Sequence, residues 1–257
     1  MQVVIVPCLT DNYSYLIHAD GAREAVVVDP SEAPPILAAL EARGLRLVGI
    51  LATHHHWDHI GGVEALVTAL GDLPVYGHVS DAGRIPLQSV KLGHEERFQI
   101  AGLAFRALHV PGHTSGAVAY VCEDAVFTGD TLFAGGCGRL FEGTPADMYA
   151  SLHEKLGALP DSTRIYCGHE YTASNLRFAA HVEPGNDEVR KKAERVNELR
   201  ARGEPSVPST LGDERRTNPF FRVAQPEVRA HVRADVSASA PPAEVLGAVR
   251  ARKDAFR

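Results

Sequence analysis

Four histidines and one aspartate fall within seven residues, Thr53-His54-His55-His56-Trp57-Asp58-His59. Imidazole and carboxylate are the usual ligands of a borderline divalent metal. The apolar run Leu47-Val48-Gly49-Ile50-Leu51-Ala52 delivers the cluster and reads as a buried strand. Beyond Gly61-Gly62 the pattern turns helical over 63–70, so the cluster sits between a strand end and a helix start. Extended backbone puts His54 and His56 on one side and His55 on the other. Asp58 and His59, one turn on, aim at a different point. Two pairs aimed at two points imply two metal ions. A polar loop with accidental histidines is the bland alternative, and the density of ligands argues against it.

Three more apolar runs end in a ligand type: Leu108 to Val110 before His113, Val126-Phe127 before Asp130, and Ile165-Tyr166-Cys167 before His169. Strand ends along one sheet edge are where open sheets place their sites. Glycines at 112, 129 and 168, each one residue before a ligand, allow sharp turns. Any one of these three ligands alone would read as structural; together with the cluster they form a set. His54, His56 and His113 supply three nitrogens to one ion. Asp58, His59 and His169 supply two nitrogens and an oxygen to the other. Asp130 can bridge ions that typically lie ~3.5–4 Å apart. Such a pair lowers the pKa of water from about 15.7 to about 7, so a hydroxide can attack without a serine or cysteine nucleophile. No ligand is sulfur, which leaves zinc, iron or manganese as occupants. Asp29, at the end of Val26-Val27-Val28, is either a turn residue before Pro30 or an orienting partner for an imidazole.

The elements that must position these ligands read as strands at 2–6, 14–18, 25–28, 47–52 and around 75–77. A helix opens at Pro34-Pro35 and stops at Gly44. Hairpins form around Ala101-Gly102 and Glu123-Asp124. An amphipathic helix covers 148–159 and a further strand 164–167. From Tyr171 helical patterns dominate, at 173–182, 187–202, 226–233 and 242–256. We therefore read residues 1–170 as a mixed strand–helix domain and 171–257 as a helical domain.

Of the 257 residues, 45% are hydrophobic and 23% charged, and the net charge is −6. That acidic balance argues against nucleic acid as a partner. Four cysteines without C-x-x-C spacing read as reduced thiols of a cytoplasmic chain. Pro7 cuts the first apolar run short, so it reads as a strand rather than an export signal. No apolar segment approaches the ~18 residues that suggest a membrane span. No exposed apolar seam is evident, which favours a monomer.

The T-H-x-H-x-D-H motif at 53–59, with His113, Asp130 and His169, resembles the metallo-β-lactamase superfamily. Within it the chain is similar to the hydroxyacylglutathione hydrolase (glyoxalase II) family over nearly its whole length. The matching motifs include Phe127-Thr128-Gly129-Asp130-Thr131-Leu132-Phe133, Gly136-Cys137-Gly138-Arg139, Gly168-His169-Glu170-Tyr171-Thr172, Asn218-Pro219-Phe220 and Arg250-x-x-Lys253-Asp254-x-Phe256. The resemblance implies an α/β fold, a four-layer αββα sandwich of two mixed sheets, with a C-terminal helical domain that helps bind glutathione. It implies a thioester hydrolase that converts S-D-lactoylglutathione to D-lactate and glutathione, the second step of methylglyoxal detoxification, with two divalent ions, zinc first among them. Asp58 is the expected proton acceptor. Arg139, Tyr171, Arg250 and Lys253 match the family's glutathione contacts, and residues three apart on a helix can meet one carboxylate. Phe141 replaces the family's tyrosine, removing one hydroxyl contact to substrate. The rivals are a glutathione persulfide dioxygenase of the same superfamily and a metal-binding module without turnover.

Overall fold

The structure, a computed structural model, describes residues 1–256. The chain divides into two compact units, one of residues 1–109 with 115–129, the other of residues 110–114 with 130 onward.

In the first unit, β1 (Gln2–Cys8), β2 (Asn12–His18) and β3 (Glu24–Val28) form an antiparallel meander. Helix α1 (Ala33–Arg43) carries prolines in its first turn and ends at Gly44 with φ 61, the asymmetry that proline and glycine impose on helix ends. It returns the chain to β4 (Arg46–Leu51), parallel to β3. Helices α2 (Trp57–Ile60) and α3 (Val63–Leu70) precede β5 (Val75–His78) and β6 (Val90–Leu92), which extend the parallel half. The result is a six-stranded mixed sheet in sequential order. Ile36 and Leu40 of α1 and Val63 and Leu66 of α3 share one core with Val27 and Ile50 of the sheet. Each such side chain stabilises by roughly 1.5–3 kcal/mol before its entropy is counted.

Strands β7 (Arg97–Ile100), β8 (Leu103–His109), β9 (Val118–Cys122) and β10 (Ala125–Gly129) pair antiparallel in sequence. Every residue of β10 is buried. The tight turn expected at Ala101-Gly102 forms with φ 53 and 72. From β9, Tyr120 donates its hydroxyl to the carbonyl of Ala52 at 2.8 Å, and Val118 N–H donates to the Thr53 carbonyl at 2.8 Å. The backbone that launches the histidine cluster is thereby fixed.

In the second unit, β11 (Leu132–Phe133) and β12 (Gly136–Cys137) make a short hairpin. The helix expected over 148–159 begins three residues earlier, as α4 (Pro145–Tyr149), because Thr144 and Asp147 form a reciprocal capping box. It then passes into a π turn over Ala150–Lys155 and a 3₁₀ turn over Leu156–Ala158. Strand β13 (Arg164–Cys167) leads to α5 (Thr172–Val182) and α6 (Asp187–Ala201), which pack through Leu176, Ala179, Val189 and Val196. Beyond residue 171 two elements were not expected: β14 (Ser209–Thr210), which pairs with β13, and α7 (Leu211–Thr217). Helices α8 (Pro226–His231) and α9 (Pro242–Ala255) close the chain.

No helix among the described residues is long and apolar enough to cross a membrane. The four cysteines are buried and no disulfide joins them. Burial raises the Cys8 thiol, pushes Cys122 and Cys137 up to about 11 and Cys167 to about 12.

Candidate metal centre

In the first unit, the adjacent ends of parallel β3 and β4 bring Asp29 and Thr53 together. Asp29 takes a left-handed φ of 50 and is buried, a conformation a short polar side chain tolerates. Its carboxylate accepts from Thr53 N and Thr53 Oγ1, each at 2.7 Å, and faces His59 Nδ1 at 2.9 Å. An ionised carboxylate only accepts, so Nδ1 of His59 carries the proton and Nε2 presents its lone pair. The Thr53 hydroxyl has spent its proton on Asp29. Toward His54 Nδ1, 3.0 Å away, it can therefore only accept. His54 thus also presents a basic Nε2, which lies 3.1 Å from His56 Nδ1. That spacing fits two ligands of one tetrahedral ion, about 3.3 Å apart for bonds of about 2.0–2.1 Å.

His55 points elsewhere, toward Asp81 at 3.3 Å, as alternation predicted. Asp58 lies in the first turn of α2, where Asn12 Nδ2 donates both to its carboxylate at 3.0 Å and to its carbonyl at 3.1 Å. Asp58 Oδ2 is 3.6 Å from His59 Nε2. Asp29, His54 and His59 present ligand atoms within 4.8 Å of one another. With Asp29 already engaged by three donors, its part is to orient the imidazoles.

The second unit holds the other three expected ligands. His113 Nδ1 donates to the Arg139 carbonyl at 2.8 Å, which again leaves Nε2 basic. One oxygen of Asp130, Oδ2, lies 3.6 Å from His113 Nε2 and 3.3 Å from His169 Nε2. A carboxylate flanked by two imidazoles is the arrangement a bridging ligand needs. Gly138 closes over it: a Cβ there would lie 2.0 Å from the Asp130 carbonyl and 2.9 Å from His113 Nδ1. The glycines preceding ligands behave unequally. Gly112 and Gly129 have φ of 150 and 48, whereas Gly168 is not among the positive-φ residues. The donor set is nitrogen and carboxylate oxygen throughout, with tautomers set for coordination, and it fits divalent ions.

The four residues matched to glutathione contacts also lie in the second unit. Tyr171 stacks on His169, centroids 4.7 Å apart and planes 4° from parallel. Arg250 is buried on α9, where Nη1 donates to the Cys137 carbonyl at 2.7 Å and Nη2 to Asp254 at 3.1 Å. Lys253 donates to the Ser174 carbonyl at 3.3 Å. Its ammonium is driven down to about 8, first by burial and then by Arg250, Arg177 and Arg139. Arg139 lies 3.5 Å from Asp254 with its side chain exposed. Phe141 is exposed and meets His113 edge to face at 5.3 Å.

Sequence reasoning missed three parts. Asn12, outside the strand expected at 14–18, starts β2 and holds Asp58. Thr53 was read only as part of a motif, although its hydroxyl sets the His54 tautomer. Arg139 contributes its carbonyl to His113, which no side-chain pattern can signal.

Comparison with known proteins matches residues 9–169 to the metallo-beta-lactamase superfamily and residues 170–256 to the hydroxyacylglutathione hydrolase C-terminus. The chain belongs to the metallo-β-lactamase superfamily and has its fold, with the helical C-terminal region expected from the motifs. Within the superfamily it falls in the hydroxyacylglutathione hydrolase family. It is 48% identical to the hydroxyacylglutathione hydrolase of Methylococcus capsulatus, across 100% of this chain and 99% of that protein. It is 50% identical to that of Alkalilimnicola ehrlichii, across 98% of each. Among solved structures, TTHA1623 in a di-iron-bound form is 32% identical with a TM-score of 0.59, covering 86% of this chain and 100% of that one.

Proposed function

We propose that this chain hydrolyses S-D-lactoylglutathione and related S-2-hydroxyacylglutathiones to the hydroxy acid and glutathione. His54, His56 and His113 would hold one divalent ion and Asp58, His59 and His169 the other, with Asp130 as the carboxylate available to both. Zinc is the occupant we favour, given a donor set without sulfur and dominated by imidazole. The reading is carried by one combination: a carboxylate flanked by two histidines, in the same unit as a cation group around Lys253.

Bound divalent ions supply an acidified water and a polarised carbonyl. The residues of the chain supply the rest. Asp29, Thr53 and the Arg139 carbonyl hold three imidazoles in the tautomer that ligates. Asp58, turned by Asn12, accepts the proton of the attacking water. A C–O bond forms at the thioester carbon, the C–S bond breaks, and the thiolate leaves. Arg139, Arg250 and Lys253 offer cations for the carboxylates of the tripeptide and Tyr171 an aromatic wall beside His169. We assign residues 1–170 to catalysis and 171–257 to glutathione binding. We further infer a monomer in the cytoplasm, where four buried thiols stay reduced.

The test is thiol release from S-D-lactoylglutathione with metal content measured on the same sample. We expect turnover with two ions per chain, lost on chelation and restored by metal. Turnover unaffected by complete metal removal would refute the proposal. So would a fully loaded protein that leaves the thioester intact.

A further inference from the structure

The β11–β12 hairpin connects Asp130 to Arg139, and its two-residue strands do little to hold it. Side chains from the later helices hold it instead. Gly135 N donates to Glu214 Oε2 at 2.7 Å. Asn218 Nδ2, at the end of α7, donates to the Gly136 carbonyl at 3.0 Å and the Phe133 carbonyl at 3.4 Å. Asn175 of α5 donates to the Ala134 carbonyl at 3.1 Å, and Arg250 of α9 to the Cys137 carbonyl at 2.7 Å. Residues 133–137 each give a backbone group to a side chain from beyond residue 171.

Behind this contact lies a buried ion pair. Glu214 is 0% exposed and Lys192 of α6 is 5% exposed. Lys192 Nζ donates to Glu214 Oε1 at 2.5 Å and to Ser209 at 2.9 Å, and Asn218 donates to Glu214 Oε2 at 2.9 Å. Such a pair adds little net stability compared with apolar side chains of the same volume. Here it fixes the carboxylate that grips the hairpin. Both ends of that hairpin reach the metal ligands. Asp130 precedes it, the Arg139 carbonyl that sets His113 follows it, and Gly138 packs onto the Asp130 backbone.

We infer that Asn175, Lys192, Glu214 and Asn218 are positioning residues for the metal centre, acting through the β11–β12 hairpin on Asp130 and His113. The C-terminal helices then help build the site as well as bind the tripeptide. This rests on the dinuclear reading above. The alternative is that the network only holds the helices together.

The variant to make is Glu214→Gln, which keeps the side-chain shape and removes the charge that Lys192 compensates. Asn175→Ala loosens the same hairpin from α5 without touching the ion pair. Three quantities are read on each: metal retained against a graded chelator, kcat and KM for S-D-lactoylglutathione, and thermal stability with and without metal. We expect metal retention to weaken about tenfold, the lower end of the cost of losing a partner of a ligand. We expect kcat to fall while KM stays within about twofold, since tripeptide binding is not the target. The stabilisation conferred by metal should shrink in both variants. Unchanged metal retention and kcat, with an equal loss of stability in the metal-free and loaded proteins, would overturn the inference. If Glu214→Gln does not fold, Asn175→Ala decides alone by the same criteria. The parent protein separates the two claims. Its failure to hydrolyse the thioester defeats the functional reading, whereas metal retention judges the hairpin whatever the substrate.

Discussion

His59 is prepared to act as a ligand by what lies behind its ring as much as by what lies in front. Asp29 takes three donors, Thr53 N, Thr53 Oγ1 and His59 Nδ1. The Asp29→Ala protein should hold metal roughly 10–100-fold more weakly, as measured by competition with a chelator. It should also lose stability, because buried donors left unsatisfied cost about 1–3 kcal/mol each. Parental metal affinity in that variant would show that Asp29 orients nothing. Lys253 makes a second prediction, about pH. Its folded pKa of about 8 lies below the ordinary lysine value of 10.5. Between those values the unfolded chain binds more protons, so this residue makes stability rise with pH. Anion binding runs the other way, since the charge that would meet a carboxylate is lost above about pH 8. KM for the glutathione thioester should therefore be flat below about 8 and climb above it. Lys253→Met should raise KM near neutrality and abolish the climb. A parental KM profile that stays flat through pH 9 would remove Lys253 from the binding site.

At the scale of elements, most of what carries the candidate ligands was legible in the sequence. Strands β3, β4, β10 and β13 are built on short apolar runs that are mostly buried, and each ends within three residues of a site residue. Helix α1 announced itself through Pro34-Pro35 and Gly44, and α3 through its apolar period. The elements that escaped notice lack those signals. The α7 segment, Leu211-Gly-Asp-Glu-Arg-Arg-Thr217, has one apolar residue in seven. Its buried Glu214 is held by polar partners, among them Lys192 and the Gly135 N–H far away in sequence. The start of α4 was misjudged because Thr144 and Asp147 define it before any apolar period begins. Candidate ligands could be named because metals demand particular side chains. Backbone carbonyls such as those of Arg139 and Cys137 could not, because every residue has one.

At the scale of the whole chain, the helices after residue 170 and the hairpin before it depend on one another. A chain ending at residue 170 lacks Asn175, Lys192, Glu214, Asn218 and Arg250, which together hold residues 133–137. We expect that fragment to lose its metal and to aggregate or remain unfolded, as judged by metal content and circular dichroism. A soluble fragment carrying two ions would show that the hairpin stands without them. The cysteines have a practical consequence for all such work. Each thiol is buried and kept protonated by its surroundings, with Cys122 and Cys137 at about 11 and Cys167 at about 12. A colorimetric disulfide reagent reacts with thiolate, so the native enzyme should stay dark while released glutathione gives colour. Added denaturant would then reveal up to four sulfhydryls per chain, turning the same dye into a gauge of how much of a variant is folded.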